Sequence, residues 1–136
     1  MIVYCTEDFK RAVESFRRKP SYDEIDQLVI EYVFNNKIEN LKTGVNLNRS
    51  DKIPFIKKRL GGRGGFRIYN LLKLESQEVY LIYIYPKSGP YGTSNFTDEG
   101  KTEIYKEGLS CIEGSAIKHL VVLNADRTLL TFITQD

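Results

Sequence analysis

A chain of 136 residues, 41% apolar, 12% aromatic and 28% charged, has the make-up of one soluble domain that can hold a core without a metal or disulfide staple. A single histidine, His119, excludes multi-histidine metal sites and argues against a histidine-based triad, and Cys5 and Cys111 stand too far apart for zinc or redox spacing. No apolar run approaches a membrane span and no charged-then-apolar leader follows Met1, so a reduced, cytoplasmic setting is expected.

In chain order, residues 1–5 read as a short apolar strand. Thr6 supplies an N-cap, with Glu7 and Asp8 in the first turn of a helix whose last turn carries Arg17, Arg18 and Lys19, an order that suits the helix dipole. Phe9, Ala12, Val13 and Phe16 recur at helical spacing. Pro20 stops this helix, and Ser21 with Glu24 in a capping box opens a second one. That helix buries Ile25, Leu28, Val29, Tyr32 and Val33 and ends at Asn35–Asn36, which completes a helical hairpin.

Residues 37–52 read as irregular and polar. The pattern then turns to period two, and residues 53–60, 66–74 and 79–85 are predicted as three strands of an antiparallel meander. Gly61, Gly62, Gly64 and Gly65 permit the sharp reversal between the first two strands. A phosphate-cradling loop is the alternative reading of these glycines, but no helix follows to lend its dipole. A loop at 86–92 leads toward a charged helix capped by Thr97 and stopped by Gly108, and residues 117–134 read as a β-hairpin. The expected fold is α+β in a single domain of residues 1–136. Its N-terminal strand and helical hairpin pack on the meander, followed by a short helix and a C-terminal β-hairpin.

The net charge of +2 conceals an uneven distribution. Residues 49–73 hold Arg49, Lys52, Lys57, Lys58, Arg59, Arg63, Arg67 and Lys73 against Asp51 alone, while the remainder is acidic. Such a strip attracts polyanions. If Leu60 faces Phe66 across the glycine loop, Arg59 faces Arg67, Lys58 faces Ile68 and Lys57 faces Tyr69. Lys57, Arg59, Arg67 and Tyr69 then share one side of the sheet, with Phe66, Ile68, Leu72 and Leu74 largely on the other. Lys58 falls on the apolar side and has to reach out at an edge. Like charges opposed across strands repel unless they are solvated or receive an anion, and guanidinium forks fit phosphodiester oxygens. Tyr69 can stack on an unpaired base. Crowded cations favour a neutral lysine, which would suit Lys57 as a general base.

The segments IKKRLGGRGGFRIYNLL and VYLIYIYPK, in the order helix, helix, meander, short helix, resemble the RelE/ParE toxin superfamily of bacterial toxin–antitoxin modules over residues 1–109. Among its members the resemblance is to RelE/HigB-like ribosome-dependent mRNA interferases. The resemblance implies a cytoplasmic, metal-independent endoribonuclease that needs no cofactor and works on mRNA in the ribosome, silenced by a cognate antitoxin protein. By the same resemblance, Lys57, Arg59, Arg67, Lys87 and Tyr105 are candidate catalytic residues, and Lys58, Arg63, Tyr69 and Tyr91 are candidate RNA contacts. The implied reaction is attack of a ribose 2′-hydroxyl on the adjacent phosphate, leaving a 2′,3′-cyclic phosphate and a free 5′-hydroxyl. Arg67 would stabilise the phosphorane, Arg59 and Lys87 would orient the backbone, and Lys57 would favour removal of the 2′ proton. A tyrosine, Tyr105 or else Tyr91, would hold the base or assist the leaving group. Two departures stand out. Ser88 follows Lys87 where some members carry arginine, so that one cationic contact is either missing or supplied by Arg63, and residues 112–136 form a C-terminal extension that invites extra strands or a docking site. A gyrase-inhibiting toxin of the ParE type and a non-toxic RNA- or partner-binding relative are the alternative readings. His119, within the extension, reads as structural or surface.

Overall fold

Period-two alternation over residues 55–86 sets the frame of the molecule. The structure, a computed structural model, describes residues 1–92 and 96–136. It contains β1 (Ile2–Thr6), α1 (Glu7–Phe16), α2 (Ile25–Val29), β2 (Val45–Asn46), β3 (Phe55–Leu60), β4 (Phe66–Lys73), β5 (Glu78–Pro86), α3 (Asp98–Glu113), β6 (Lys118–Leu123) and β7 (Leu130–Gln135). The strands form one sheet in the order β2-β3-β4-β5-β1-β6-β7, in which β1 runs parallel to β5 and every other pair is antiparallel. The α+β class, the meander β3–β4–β5 and the C-terminal hairpin are as expected, and the hairpin adds its strands to the sheet beside β1.

One side of the sheet is covered by α1 and α2, where Phe9, Val13, Ile25 and Val29 bury against Ile68, Leu72, Leu81 and Ile84. On the other, Ile104 and Cys111 of α3 pack with Phe55, Tyr69, Leu71, Tyr80 and Ile82. Each sheet residue is therefore assigned to a layer by its parity, as a pleated strand requires. A bulge interrupts the parity between β4 and β5, where Tyr69 pairs with Tyr83 and Asn70 with Leu81, leaving Ile82 unpaired.

Thr6 caps α1 as anticipated: its Oγ1 accepts from the Phe9 N–H at 3.1 Å and donates to the Ile82 carbonyl at 2.7 Å. Three local expectations are corrected. First, α1 ends at Phe16, so Arg17–Lys19 lie outside it. Arg17 instead reaches the buried Asp26, with Nη2 2.6 Å from Oδ1 and Nε 3.1 Å from Oδ2. Second, the second helix is broken. Pro20–Tyr22 form a 3₁₀ turn, α2 begins only at Ile25, and a wider π turn carries Ile30–Phe34. Ser21 makes no cap because it lies inside the turn that Pro20 initiates. Asn36 ends the segment by donating Nδ2 to the Tyr32 carbonyl at 2.8 Å. Third, Gly108 does not stop α3, which runs on to Glu113 and ends at Gly114 with φ of +84°. A Cβ on Gly108 would lie 2.7 Å from both Ile82 Cδ1 and Leu71 Cδ1, so this glycine allows the helix to approach the sheet.

Candidate polyanion-binding site

Strands β3 and β4 reverse through the glycine loop, where Gly61 and Gly64 adopt φ of +72° and +77°. The resulting register pairs Leu60 with Phe66, Arg59 with Arg67, Lys58 with Ile68 and Lys57 with Tyr69, as anticipated from alternation. Two guanidinium-bearing residues thus face each other directly across neighbouring strands. At the outer edge of β3, the backbone of residues 43–45 lies close against the strand, with Val45 paired to Lys57. Together they form a hollow of about 390 Å³ lined by Thr43, Gly44, Val45, Lys57, Lys58, Arg59 and Arg67. Among the described residues, four cations and no carboxylate line it. Arg59 is exposed, and Lys57, Lys58 and Arg67 are half-buried, so the charges are held near water at a shaped surface.

Lys58 reaches its position by extending past the edge, where its Nζ donates to Thr43 Oγ1 at 3.0 Å. Thr43 and the two-residue strand β2 fall in the stretch read as irregular. A two-residue strand carries too little alternation to be detected, so the outer wall of the hollow left no signal in the sequence.

Other candidates lie elsewhere. Tyr69 is 1% exposed, enclosed by the rings of Phe55 at 5.9 Å, Phe96 at 5.7 Å and Tyr85 at 6.2 Å. It therefore presents no face to an unpaired base, which corrects the stacking role expected of it. Although Tyr69 shares a strand face with the cations, α3 and the residues leading into it cover that end of the face. Burial also pushes its phenol above the ordinary range. Tyr105 lies on Phe55 with ring centroids 4.9 Å apart and accepts from Asn48 Nδ2 at 3.3 Å. It borders a separate hollow with Leu47, Asp98, Lys101 and Thr102, and does not line the cationic one.

Arg63 is exposed at the tip of the glycine loop. Lys87 follows β5 and is tied to the same loop, its N–H donating to the Gly65 carbonyl at 3.0 Å. Tyr91 is 57% exposed on the succeeding loop. These three flank the hollow's hairpin at its turn end without lining the hollow itself.

His119 is buried, with Nε2 2.6 Å from Glu7 Oε1 and Nδ1 3.1 Å from Thr134 Oγ1. It ties the C-terminal hairpin to α1 and takes the structural role expected of it. Cys5 and Cys111 are free and buried. Burial raises both thiols, that of Cys111 to about 11. Among the described residues, no three His, Cys, Asp or Glu side chains gather in an arrangement that could hold a metal ion, and no helix is long and apolar enough to cross a membrane. No protein-family model and no curated protein matches the chain.

Proposed function

We propose that this protein is the toxin of a bacterial toxin–antitoxin pair, a RelE-like cytoplasmic endoribonuclease that cuts mRNA on the ribosome. The observation that carries the reading is the convergence of Lys57, Lys58, Arg59 and Arg67 on one hollow free of carboxylates. A phosphodiester placed between the opposed Arg59 and Arg67 would accept hydrogen bonds from both forks. The chemistry that suits such a site is attack of the ribose 2′-hydroxyl on the neighbouring phosphate. Charge accumulates on the non-bridging oxygens as the 2′ oxygen bonds to phosphorus and the 5′ oxygen departs. Arg67 and Arg59 stabilise that charge, Lys57 favours loss of the 2′ proton to water, and the departing 5′ oxygen takes a proton from water to leave as a free hydroxyl. Lys87 and Arg63, at the turn end, hold the flanking backbone. A cognate antitoxin would silence the protein by placing carboxylates on the same cations.

The test is to induce the gene alone in translating cells and map transcript 5′ ends. Cuts within translated codons are expected, with Arg67→Ala lowering their rate by about 10²–10³. Intact transcripts alongside gyrase-dependent chromosome breaks would replace this reading with that of a gyrase inhibitor. Intact transcripts and normal growth would leave a binding protein without toxicity.

A further inference from the structure

The two edges of the sheet, β2 and β7, are finished differently. β2 is two residues long and leaves little backbone to pair. β7 runs over Leu130–Gln135 with no lysine, no proline, no charge of either sign and no bulge against β6, so it lacks the devices that protect an exposed strand. Its outward backbone can be followed residue by residue. The Asn124 N–H donates to the Leu129 carbonyl at 3.0 Å, so the odd-numbered residues of β7 turn their backbone groups to β6 and the even-numbered ones turn theirs away. Leu130 conforms: its N–H donates to Asp26 Oδ1 at 3.0 Å and its carbonyl accepts from Arg17 Nη2 at 2.9 Å. The Arg17–Asp26 pair thus closes the edge at that end. Among the described residues, no strand or side chain takes the outward groups of Phe132 and Thr134. Between them stands Ile133, which points to the face opposite Phe132 and is 51% exposed.

We infer that β7 is a dimerisation edge, pairing antiparallel with β7 of a second copy of this chain about a two-fold axis at Ile133. In that register Phe132 of each copy faces Thr134 of the other. The two residues exchange N–H···O bonds, which satisfies every outward group left free on both edges. Ile133 meets Ile133 at the axis in the close, non-hydrogen-bonded kind of pair and loses its exposed surface there. The other two-fold register, Phe132 on Phe132, would require Leu130 to bond Thr134, but the Leu130 groups are already held by Asp26 and Arg17. The chosen register also brings Asp136 opposite Leu130 of the second copy, beside the Arg17 bonded there, so opposite charges meet at each end of the ladder. A second copy fits better than a foreign strand because the pattern of free groups is its own complement about Ile133. The inference does not depend on the RNA reading: the cationic hollow borders the opposite edge of the sheet, and each copy keeps it open.

Sedimentation of the full-length protein over a range of concentrations is expected to show a monomer–dimer equilibrium. Ile133→Lys sets two ammonium groups against each other at the axis and removes the apolar contact, and should weaken the dimer by about 10-fold or more. Asp136→Lys should weaken it by about 2- to 10-fold. The register is read by cross-linking. Cys5 and Cys111 are buried, so a cysteine introduced on the edge is the reactive thiol. Treated with diamide, Ile133→Cys should join into a disulfide-linked dimer, because a close antiparallel pair lies within disulfide reach. Thr131→Cys, exposed on the same face, should stay unlinked, since it lies opposite Gln135 of the second copy and not opposite itself. These cysteine variants decide the matter if Ile133→Lys disturbs the fold. A wild type that stays monomeric at its highest soluble concentration overturns the inference and leaves the edge to a strand of another protein. A dimer indifferent to Ile133→Lys, or equal cross-linking of the two cysteine variants, overturns it as well.

Discussion

Individual side chains in this protein were given their roles by what lies opposite them. Arg17 belongs, by sequence, to a run of cations at a helix end, where it would add a few tenths of a kcal/mol. In the fold it is the counter-ion of Asp26, whose side chain is 3% exposed and also accepts the Leu130 N–H at 3.0 Å. Arg17 further donates to the Leu130 carbonyl at 2.9 Å, so a single ion pair joins the segment just after α1 to α2 and β7. Arg17→Ala would leave a buried carboxylate without its cation and should cost about 3 kcal/mol or more, read as a lower midpoint in urea unfolding. An exposed neighbour such as Arg18 should be close to neutral when changed the same way.

At the scale of elements, the position of α3 is set by one missing side chain and one carboxyl. Gly108 lets the helix settle on Leu71 and Ile82, and Gly108→Val would force the contact apart at a cost of about 1–3 kcal/mol, measurable as a loss of thermal midpoint. Its neighbour in the chain, Glu107, is pushed up to about 7, first by burial and then by its hydrogen bond with Asp8 of α1 and the charge of Asp8 and Glu7. A carboxyl raised above its unfolded value of 4.5 stabilises the fold while it is protonated, and that contribution fades as pH rises through 7. The melting temperature of the wild type, relative to Glu107→Gln, should therefore decline between about pH 5 and about pH 8. Parallel pH profiles for the two proteins would show that the α1–α3 contact does not depend on this proton.

Across the whole molecule, charge and shape are segregated. The turn end of the β3–β4 hairpin and the outer face of β3 carry cations. The opposite half of the sheet, built from β1, β6 and β7, exposes apolar side chains such as Ile2 and Ile133. A mild net charge thus hides a field strong at one end, which suits steering of a polyanion toward it. The C-terminal hairpin is integral to this body: Val121 and Leu130 are buried in the layer under α1 and α2, and His119 bonds to Glu7. It widens the sheet and leaves the cationic end open.

The register of β3 and β4 was legible because alternation and a glycine turn are local signals, and together they fix which cations are neighbours. The N-cap at Thr6, the meander and the terminal hairpin were legible for the same reason. Gly108 and Ser21 misled because a glycine and a serine carry the same local meaning whether they punctuate a helix or serve packing and turns elsewhere. Tyr69 marks the limit most clearly. Its place on the cationic face of the strand follows from parity, but its burial follows from Phe96 and the helix beyond it, distant in sequence. Periodicity along a chain therefore decided which side chains face the same way, whereas only the packing of distant segments decided which of them water, or a nucleotide, can reach.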